Sequence, residues 1–458
     1  MPFAPNSAAA RDIAYTLHAY TNLAVHEEKG PLIVSRGDGI YVWDDQGRRY
    51  IEGLAGLWCA ALGFSEKRLA EAAKRQLDEL PYMHTFSHRS TLPVIDLCEK
   101  LVEIAPGELS KVYLVNSGSE AVEMAIKLVW YYNNALDRPD KKKIISRRRA
   151  YHGVTVAAGS LTALAYVQDG FDLPVGRFLQ TDTPWHYRYG EPGESETDFA
   201  TRLADNLDAL IRAEGPETVA AFIAEPVMGA GGVMPPPESY FEKVQAVLRR
   251  HDVLMIADEV VCGFGRTGNV WGCRTYGIEP DILTCAKQLS AGYIPIAAVM
   301  ITDRLYKALV AQSDKLGMFG TGNTYGGHPV AAAVALEALK IYRERDVLGH
   351  VRKMAPRFQA RLAALGEHPL VGDARGVGLI GGLEIVADKA SKASYPAETK
   401  AAATVADKAS EHGLFVRSLA GDTIGICPPL IITEEQIDDL FDRLLRGLDD
   451  ARAALSTA

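Results

Sequence analysis

Paired cysteines are missing from this sequence. Its six cysteines, at 59, 98, 262, 273, 285 and 427, are scattered over 458 residues, and no two stand in a CxxC spacing. That pattern offers neither a zinc ribbon nor a thioredoxin-like redox pair, so no metal site is expected, and it fits a chain kept in a reducing compartment. Long hydrophobic runs are missing too: no stretch is apolar for long enough to span a bilayer. The opening residues MPFAPNSAAARDIAY lack the apolar centre of a signal peptide and hold a single arginine, too few for a transit peptide. A cytoplasmic location without membrane attachment is the expectation. Positive charge is in short supply, with 49 Lys and Arg against 58 Asp and Glu, a net charge of −9. This balance argues against a nucleic-acid surface. The one basic cluster, Lys141-Lys142-Lys143 with Arg147-Arg148-Arg149, has no interleaved aromatics and reads as a solvated loop leading into a strand.

What is present is ordinary globular material, 48% hydrophobic and 23% charged, enough for a sizeable core. The middle of the chain alternates short apolar runs with helical patterns. The runs are 111–115 (KVYLV), 143–146 (KIIS), 219–224 (VAAFIA), 253–257 (VLMIA), 281–286 (DILTCA) and 296–301 (IAAVMI). Runs of this length predict buried strands of a mostly parallel sheet. The segment 238–251 (ESYFEKVQAVLRRH) predicts an amphipathic crossover helix, and 184–200, rich in Pro, Gly and Glu, a long surface loop. Near the N-terminus, GIYVWDDQGRRYIEG predicts a hairpin turning at Asp45-Gln46-Gly47. From about 331 an Ala-rich helix begins, followed by further helices and short strands in GLFVRS and IGICPPLIIT. The expected architecture is α/β, with a large domain at 59–330. A smaller α+β domain is built from 1–58 and 331–458.

In open parallel sheets ligands bind at the carboxyl ends of the strands. The first polar residues there are Glu225, Asp258-Glu259 and Lys287, about thirty residues apart, roughly one βα unit each. They should therefore gather on one sheet edge. A lysine directly after a buried strand either caps it into solvent or, if buried, becomes a neutral nucleophilic amine suited to Schiff-base chemistry. Asp258 is either satisfied by helix or backbone donors or paired with a cation; Glu259, one residue on, points to the other face. The break at Asn116-Ser117-Gly118 before Ser119-Glu120 is either a plain N-cap or a phosphate site at a helix N-terminus. Tyr151-His152-Gly153 follows another strand end, where an aromatic could stack on a planar ring. GFGRTG at 263–268 has the wrong spacing for a dinucleotide fingerprint.

With these residues assembled, the sequence resembles the class III aminotransferases of pyridoxal-phosphate (PLP) fold type I. The likeness rests on NSGSEAVEMAIK, YHG, EPVMGAGGV, ADEVVCGFGRTG, PDILTCAK and TYGGHPVAAAVALEAL, in family order and spacing, and spans about residues 30–450. It implies PLP as cofactor, Lys287 as Schiff-base lysine and proton shuttle, and Asp258 as partner of the pyridine nitrogen. It further implies Tyr151 stacked on the ring, Val260 against its other face and Glu225 near its hydroxyl. Gly118 and Ser119 would bind the phosphate, and Thr324 would reach the phosphate of a neighbouring subunit, making a homodimer with shared sites. Within the class, AGLWCAALGF and GLFVRSLAGDTIGICPPLIIT resemble the omega-aminotransferases that use pyruvate as acceptor. By that likeness Trp58 shapes the substrate pocket and Arg417 is a mobile arginine for the carboxylate of pyruvate or alanine. An amine donor, preferably (S), and a keto-acid acceptor are implied. A 4-aminobutyrate, ornithine or diaminopelargonate-type aminotransferase, or an aminomutase, is the alternative. One departure stands out: the family usually has Gly after the lysine, and here it is Gln288.

Overall fold

The computed structural model describes residues 3–456. The chain opens with β1 (Val34–Asp38), β2 (Tyr41–Asp44) and β3 (Arg49–Glu52). Its middle gives β4 (Leu109–Val115), β5 (Lys143–Arg147), β6 (Phe178–Thr181), β7 (Val219–Ala224), β8 (Leu254–Asp258), β9 (Ile282–Cys285) and β10 (Ala297–Thr302). The C-terminal part adds β11 (Val371–Val377), β12 (Ile380–Ile385), β13 (Leu414–Phe415), β14 (Arg417–Leu419) and β15 (Thr423–Ile426).

The middle strands form one sheet in the order β4-β10-β9-β8-β7-β5-β6. β5 to β9 run parallel, and β10 lies antiparallel between β4 and β9. The inner strands β7 to β10 are buried along their length because helices cover both faces. All residues of β7 and β8 are buried. Alternate side chains serve opposite faces. Ile223, Ile256 and Ala297 pack in one core with the helix Gly118–Ala135. Phe222, Met255 and Ala298 belong to the core shared with the helices Tyr240–Arg250 and Pro329–Glu344.

The two smaller sheets join the chain's ends. β13 pairs parallel with β3, Leu414 opposite Ile51, giving the order β1-β2-β3-β13. β11-β12-β15-β14 is antiparallel and packs against the helices Val347–Leu365 and Ala401–Glu411. This is the α/β fold with a smaller α+β part from both termini that the sequence predicts. No helix among the described residues is long and apolar enough to cross a membrane.

Four local expectations are corrected. β6 was not foreseen: it is four residues long, contains Gln180 and pairs only with β5 at the sheet edge. The segment 184–200 is not one surface loop. It holds a helical turn at His186–Tyr189 and the start of the helix Glu196–Glu214, which Ser195 caps by accepting the Asp198 N–H at 3.1 Å, and Trp185 is buried. The basic cluster is solvated only in part, with Arg148 exposed. Lys141 and Lys142 are buried, and Lys141 Nζ donates to the carbonyls of Pro216 and His251 at 3.0 and 3.3 Å. Arg147, also buried, donates to the Glu225 carbonyl at 2.6 Å, so carbonyl oxygens replace water around these charges. In IGICPPLIIT the strand stops at Ile426, since Pro428 and Pro429 cannot donate to a ladder.

Candidate active site

β7, β8 and β9 are parallel neighbours, so their carboxyl ends place Glu225, Asp258 and Lys287 on one edge of the sheet. Lys287 lines a cavity of about 400 Å³ together with Tyr20, Trp58, Tyr151, Tyr166, Glu225 and Arg417. A larger groove, about 910 Å³, lies around Trp185 and Arg375, but there Arg375 is already paired with Asp373 and Glu384. The smaller cavity is the one with unpaired chemistry.

Lys287 opens a short 3₁₀ turn, Lys287–Ser290, with its backbone in the left-handed region at φ 44°. Such a conformation costs a non-glycine residue about 1–2 kcal/mol, and the surroundings hold it in place. Tyr342 Oη donates to the Gln288 carbonyl at 2.6 Å, and Gln288 Nε2 donates to the Val261 carbonyl at 2.7 Å. Gln288 is therefore accommodated as a fully buried tie between the lysine turn and the segment after β8. Lys287 Nζ makes no hydrogen bond or ion pair among the described residues. Burial lowers its pKa, opposed by the nearby Asp258, Cys59 and Glu225. The amine is thus poised toward its neutral, nucleophilic form.

Asp258 is almost wholly buried, and its two oxygens are held separately. Oδ2 lies 2.7 Å from His152 Nδ1, and Oδ1 accepts the Val260 N–H at 3.1 Å. His152 Nε2 is buried with no partner. Sequence reasoning took the YHG motif for its tyrosine and missed this histidine; the signal was its position one residue past a strand-end aromatic. Glu259 points away, accepting from the N–H groups of Gly272 and Cys273 at 2.9 and 2.6 Å, and burial pushes its carboxyl up to about 7. Glu225 accepts the Tyr151 N–H on Oε1 at 3.1 Å and the Gly229 N–H on Oε2 at 2.8 Å. Burial raises its pKa as well.

The Asn116–Glu120 segment turns out to be both a cap and an open helix end. Ser117 Oγ accepts the Glu120 N–H at 3.2 Å, and Glu120 Oε2 accepts from the Asn116 backbone and side chain at 2.8 and 2.9 Å. The N–H groups of Gly118 and Ser119 remain at the helix N-terminus. A Cβ on Gly118 would sit 3.2 Å from both Val260 γ-carbons, and one on Gly153 would sit 2.6 Å from Ser119 Oγ. The helix end, Val260 and the Tyr151–Gly153 segment therefore border one another. Thr324 is not brought in: it is exposed, and its carbonyl accepts from Tyr82 Oη at 2.8 Å.

Trp58 closes the other side. It sits on a turn in which Ala55, Gly56 and Trp58 all have positive φ, held by Glu52, whose carboxylate accepts the Gly56 N–H. Burial pushes the Glu52 carboxyl up to about 7, against the pull of the Gly56 and Leu54 N–H groups. Its value in the unfolded chain is about 4.3. A folded value above the unfolded one means a contribution to stability that is full below about 4.3 and is lost as pH rises through about 7. Glu52→Gln cannot ionise. Its melting temperature should therefore gain on the parent's as pH is raised from about 5 to 8, by the equivalent of about 2–3 kcal/mol. Parallel melting profiles in the two proteins would contradict this.

Arg417 stands at the start of β14; its side chain forms no ion pair or hydrogen bond among the described residues and lies 5.9 Å from the Tyr20 ring. Tyr20 Oη is 3.1 Å from Tyr151 Oη, so the N-terminal arm reaches into the cavity. Asp12 anchors that arm, its Oδ2 lying 2.7 Å from His18 Nε2 and 3.1 Å from His26 Nε2. Tyr20 and Tyr166 were not foreseen, since neither stands at a strand end or in a recognisable motif.

This arrangement fits an anionic, planar pyridine aldehyde. Lys287 offers a free amine, and Asp258, held by His152 Nδ1, offers a buried carboxyl group for a ring nitrogen. The glycine-lined helix end offers N–H donors for a phosphate. Comparison with known proteins agrees. The family model for aminotransferase class-III matches residues 23–448. Gamma aminobutyrate transaminase 3, chloroplastic, of Solanum lycopersicum is 49% identical over 92% of this chain and 81% of its own length. Gamma-aminobutyrate transaminase 1, mitochondrial, of Oryza sativa subsp. indica is 51% identical over 90% of the chain and 80% of its own. Among solved structures, a thermostable omega transaminase mutant from Pseudomonas jessenii has a TM-score of 0.97 at 52% identity, covering 98% of this chain and 99% of that one. The omega transaminase of the same organism in complex with PMP gives the same TM-score, identity and coverage. The chain belongs to the class III aminotransferases and is a PLP-dependent transaminase of α/β, fold-type-I architecture.

Proposed function

We propose that this transaminase takes an amino group from a primary amine or ω-amino acid and passes it to pyruvate, giving a ketone or aldehyde and alanine in two successive half-reactions. The observation that carries this reading is the unpaired Arg417 guanidinium facing the Lys287 cavity beside Trp58, Tyr20 and Tyr166. A cation without a carboxylate partner suits the carboxylate of a keto acid. The aromatic walls suit the apolar body of a donor that has none.

When bound, PLP supplies a carbonyl for the incoming amine and a cationic ring that withdraws electrons from the reacting carbon. Asp258 would hold its pyridine nitrogen, with His152 fixing the carboxylate's orientation. Gly118 and Ser119 would hold the phosphate through their N–H groups. Tyr151 and Val260 would bracket the ring, and Glu225 would orient the Tyr151 segment beside it. Lys287 would anchor the cofactor at rest. Once displaced, its neutral Nζ would take the proton from the donor's amine-bearing carbon and return it two atoms further along, to the carbon on the far side of the transferred nitrogen. The acceptor half-reaction runs these proton transfers in reverse, with Arg417 holding the acceptor's carboxylate.

A second copy of the chain completes this account. Leu92, Met318 and Tyr325 are 73%, 70% and 61% exposed, and Tyr82 packs edge-on against Tyr325. An apolar surface of this kind supports a homodimer in which Thr324 of a second copy reaches the phosphate. Residues 59–330 would form the cofactor-binding unit, with 1–58 and 331–458 closing over it. The names of the curated relatives favour 4-aminobutyrate as the first ω-amino acid to assay.

The test is product analysis with (S)-1-phenylethylamine and pyruvate, where equimolar acetophenone and alanine are expected; consumption of amine without alanine would contradict the assignment. Arg417→Ala should raise KM for pyruvate about 10–100-fold, the worth of one charge-assisted hydrogen-bonded contact, and leave KM for the amine within about twofold. Equal losses on both substrates would remove Arg417 from the proposed role.

A further inference from the structure

Arg149 takes no part in the chemistry above, and no carboxylate pairs with it among the described residues. It lies two residues past β5, with its backbone at φ 68°. Its guanidinium lies 5.0 Å from the Trp185 ring centroid. Nε and Nη2 donate to the Gly231 carbonyl at 3.1 and 2.8 Å, and Nη2 donates to the Ala420 carbonyl at 2.7 Å. Ala420 is the first residue after β14, the strand that begins with Arg417. β14 is the edge of its sheet and pairs only with β15, so its outer side has no strand to hold it. The close approach depends on missing side chains. A Cβ on Gly421 would lie 2.6 Å from Arg149 Nη2, and one on Gly231 would lie 2.2 Å from the Arg149 carbonyl. The tip of the Arg417 hairpin is thus fastened to the carboxyl edge of the central sheet by one side chain.

We propose that Arg149 is a positioning residue for Arg417: by clamping the β14–β15 hairpin at Ala420, it sets how readily Arg417 presents its guanidinium to the carboxylate of a keto-acid or amino-acid substrate. The proposal rests on the reading of Arg417 as the carboxylate-binding group. A planar guanidinium bridges two carbonyls at once, whereas a lysine ammonium offers a point charge on a flexible stem. The clamp therefore matters for substrates with a carboxylate and is silent for those without one.

The test uses the PLP-loaded enzyme and its Arg149→Met and Arg149→Lys variants. Hydrogen exchange should quicken about tenfold at residues 417–422 in Arg149→Met, the loss of roughly one charge-assisted hydrogen bond. β1 to β3 should stay unchanged and Arg149→Lys should fall between. In single half-reactions, KM for pyruvate should rise about tenfold while kcat, and KM for (S)-1-phenylethylamine, stay within about twofold. Unchanged exchange at the hairpin overturns the clamp. A loss shared equally by both half-reactions overturns the positioning role and marks Arg149 as merely structural. Should the parent enzyme ignore pyruvate altogether, the substrate assignment fails, and the exchange measurement still decides the clamp.

Discussion

Lys287→Ala should lower the rate of each half-reaction by about 10⁴-fold, the upper range for loss of a positioned acid–base group. Among the described residues, Lys287 is the one amine lining the cavity, and no other side chain there can both anchor an aldehyde and carry a proton. Tyr151 is the nearest substitute, but burial raises the pKa of its hydroxyl and leaves it a poor base. The variant should remain folded. Alanine keeps the Cβ and with it the cost of the left-handed backbone, but the turn is held by Gln288 and Tyr342 rather than by the lysine side chain. An activity within tenfold of the parent's would remove Lys287 from the centre of the mechanism.

Asp258→Asn should cost about 10²–10³-fold, comparable to removing one preorganised electrostatic contact in a buried site. The amide keeps the size of the carboxylate and can still accept from the Val260 N–H. It lacks the negative charge that would keep a ring nitrogen protonated, and it cannot match an ionised carboxylate opposite His152 Nδ1. The loss should therefore fall on kcat in both half-reactions, with KM for pyruvate and for the amine nearly unchanged. A loss confined to KM would place Asp258 in substrate binding instead.

How much of this was legible in the sequence depends on what each feature obeys. Six of the seven central strands could be read from their apolar runs, which the inner ones owe to coverage of both faces; β6, four residues long with Gln180 among them, offers no such run. Glu225, Asp258 and Lys287 were legible as a group because parallel connectivity carries successive strand ends to one edge. The segment 184–200 was misread since its capping serine sits among turn-forming residues, and the lysine pair 141–142 since carbonyl acceptors from distant segments leave no trace in local composition. His152, Tyr20 and Arg149 depend on contacts over long separations, Asp258 lying 106 residues from His152 and Ala420 lying 271 from Arg149. No periodicity reports such pairs.

The central claim is that Lys287, PLP and a carboxylate-free amine meet in one cavity. The most direct test is the absorption spectrum of the PLP-loaded protein after addition of (S)-1-phenylethylamine without keto acid, then of pyruvate. The account predicts that the yellow band is lost to the cofactor's amino form on the first addition and restored on the second. A yellow band that persists through the first addition would contradict it.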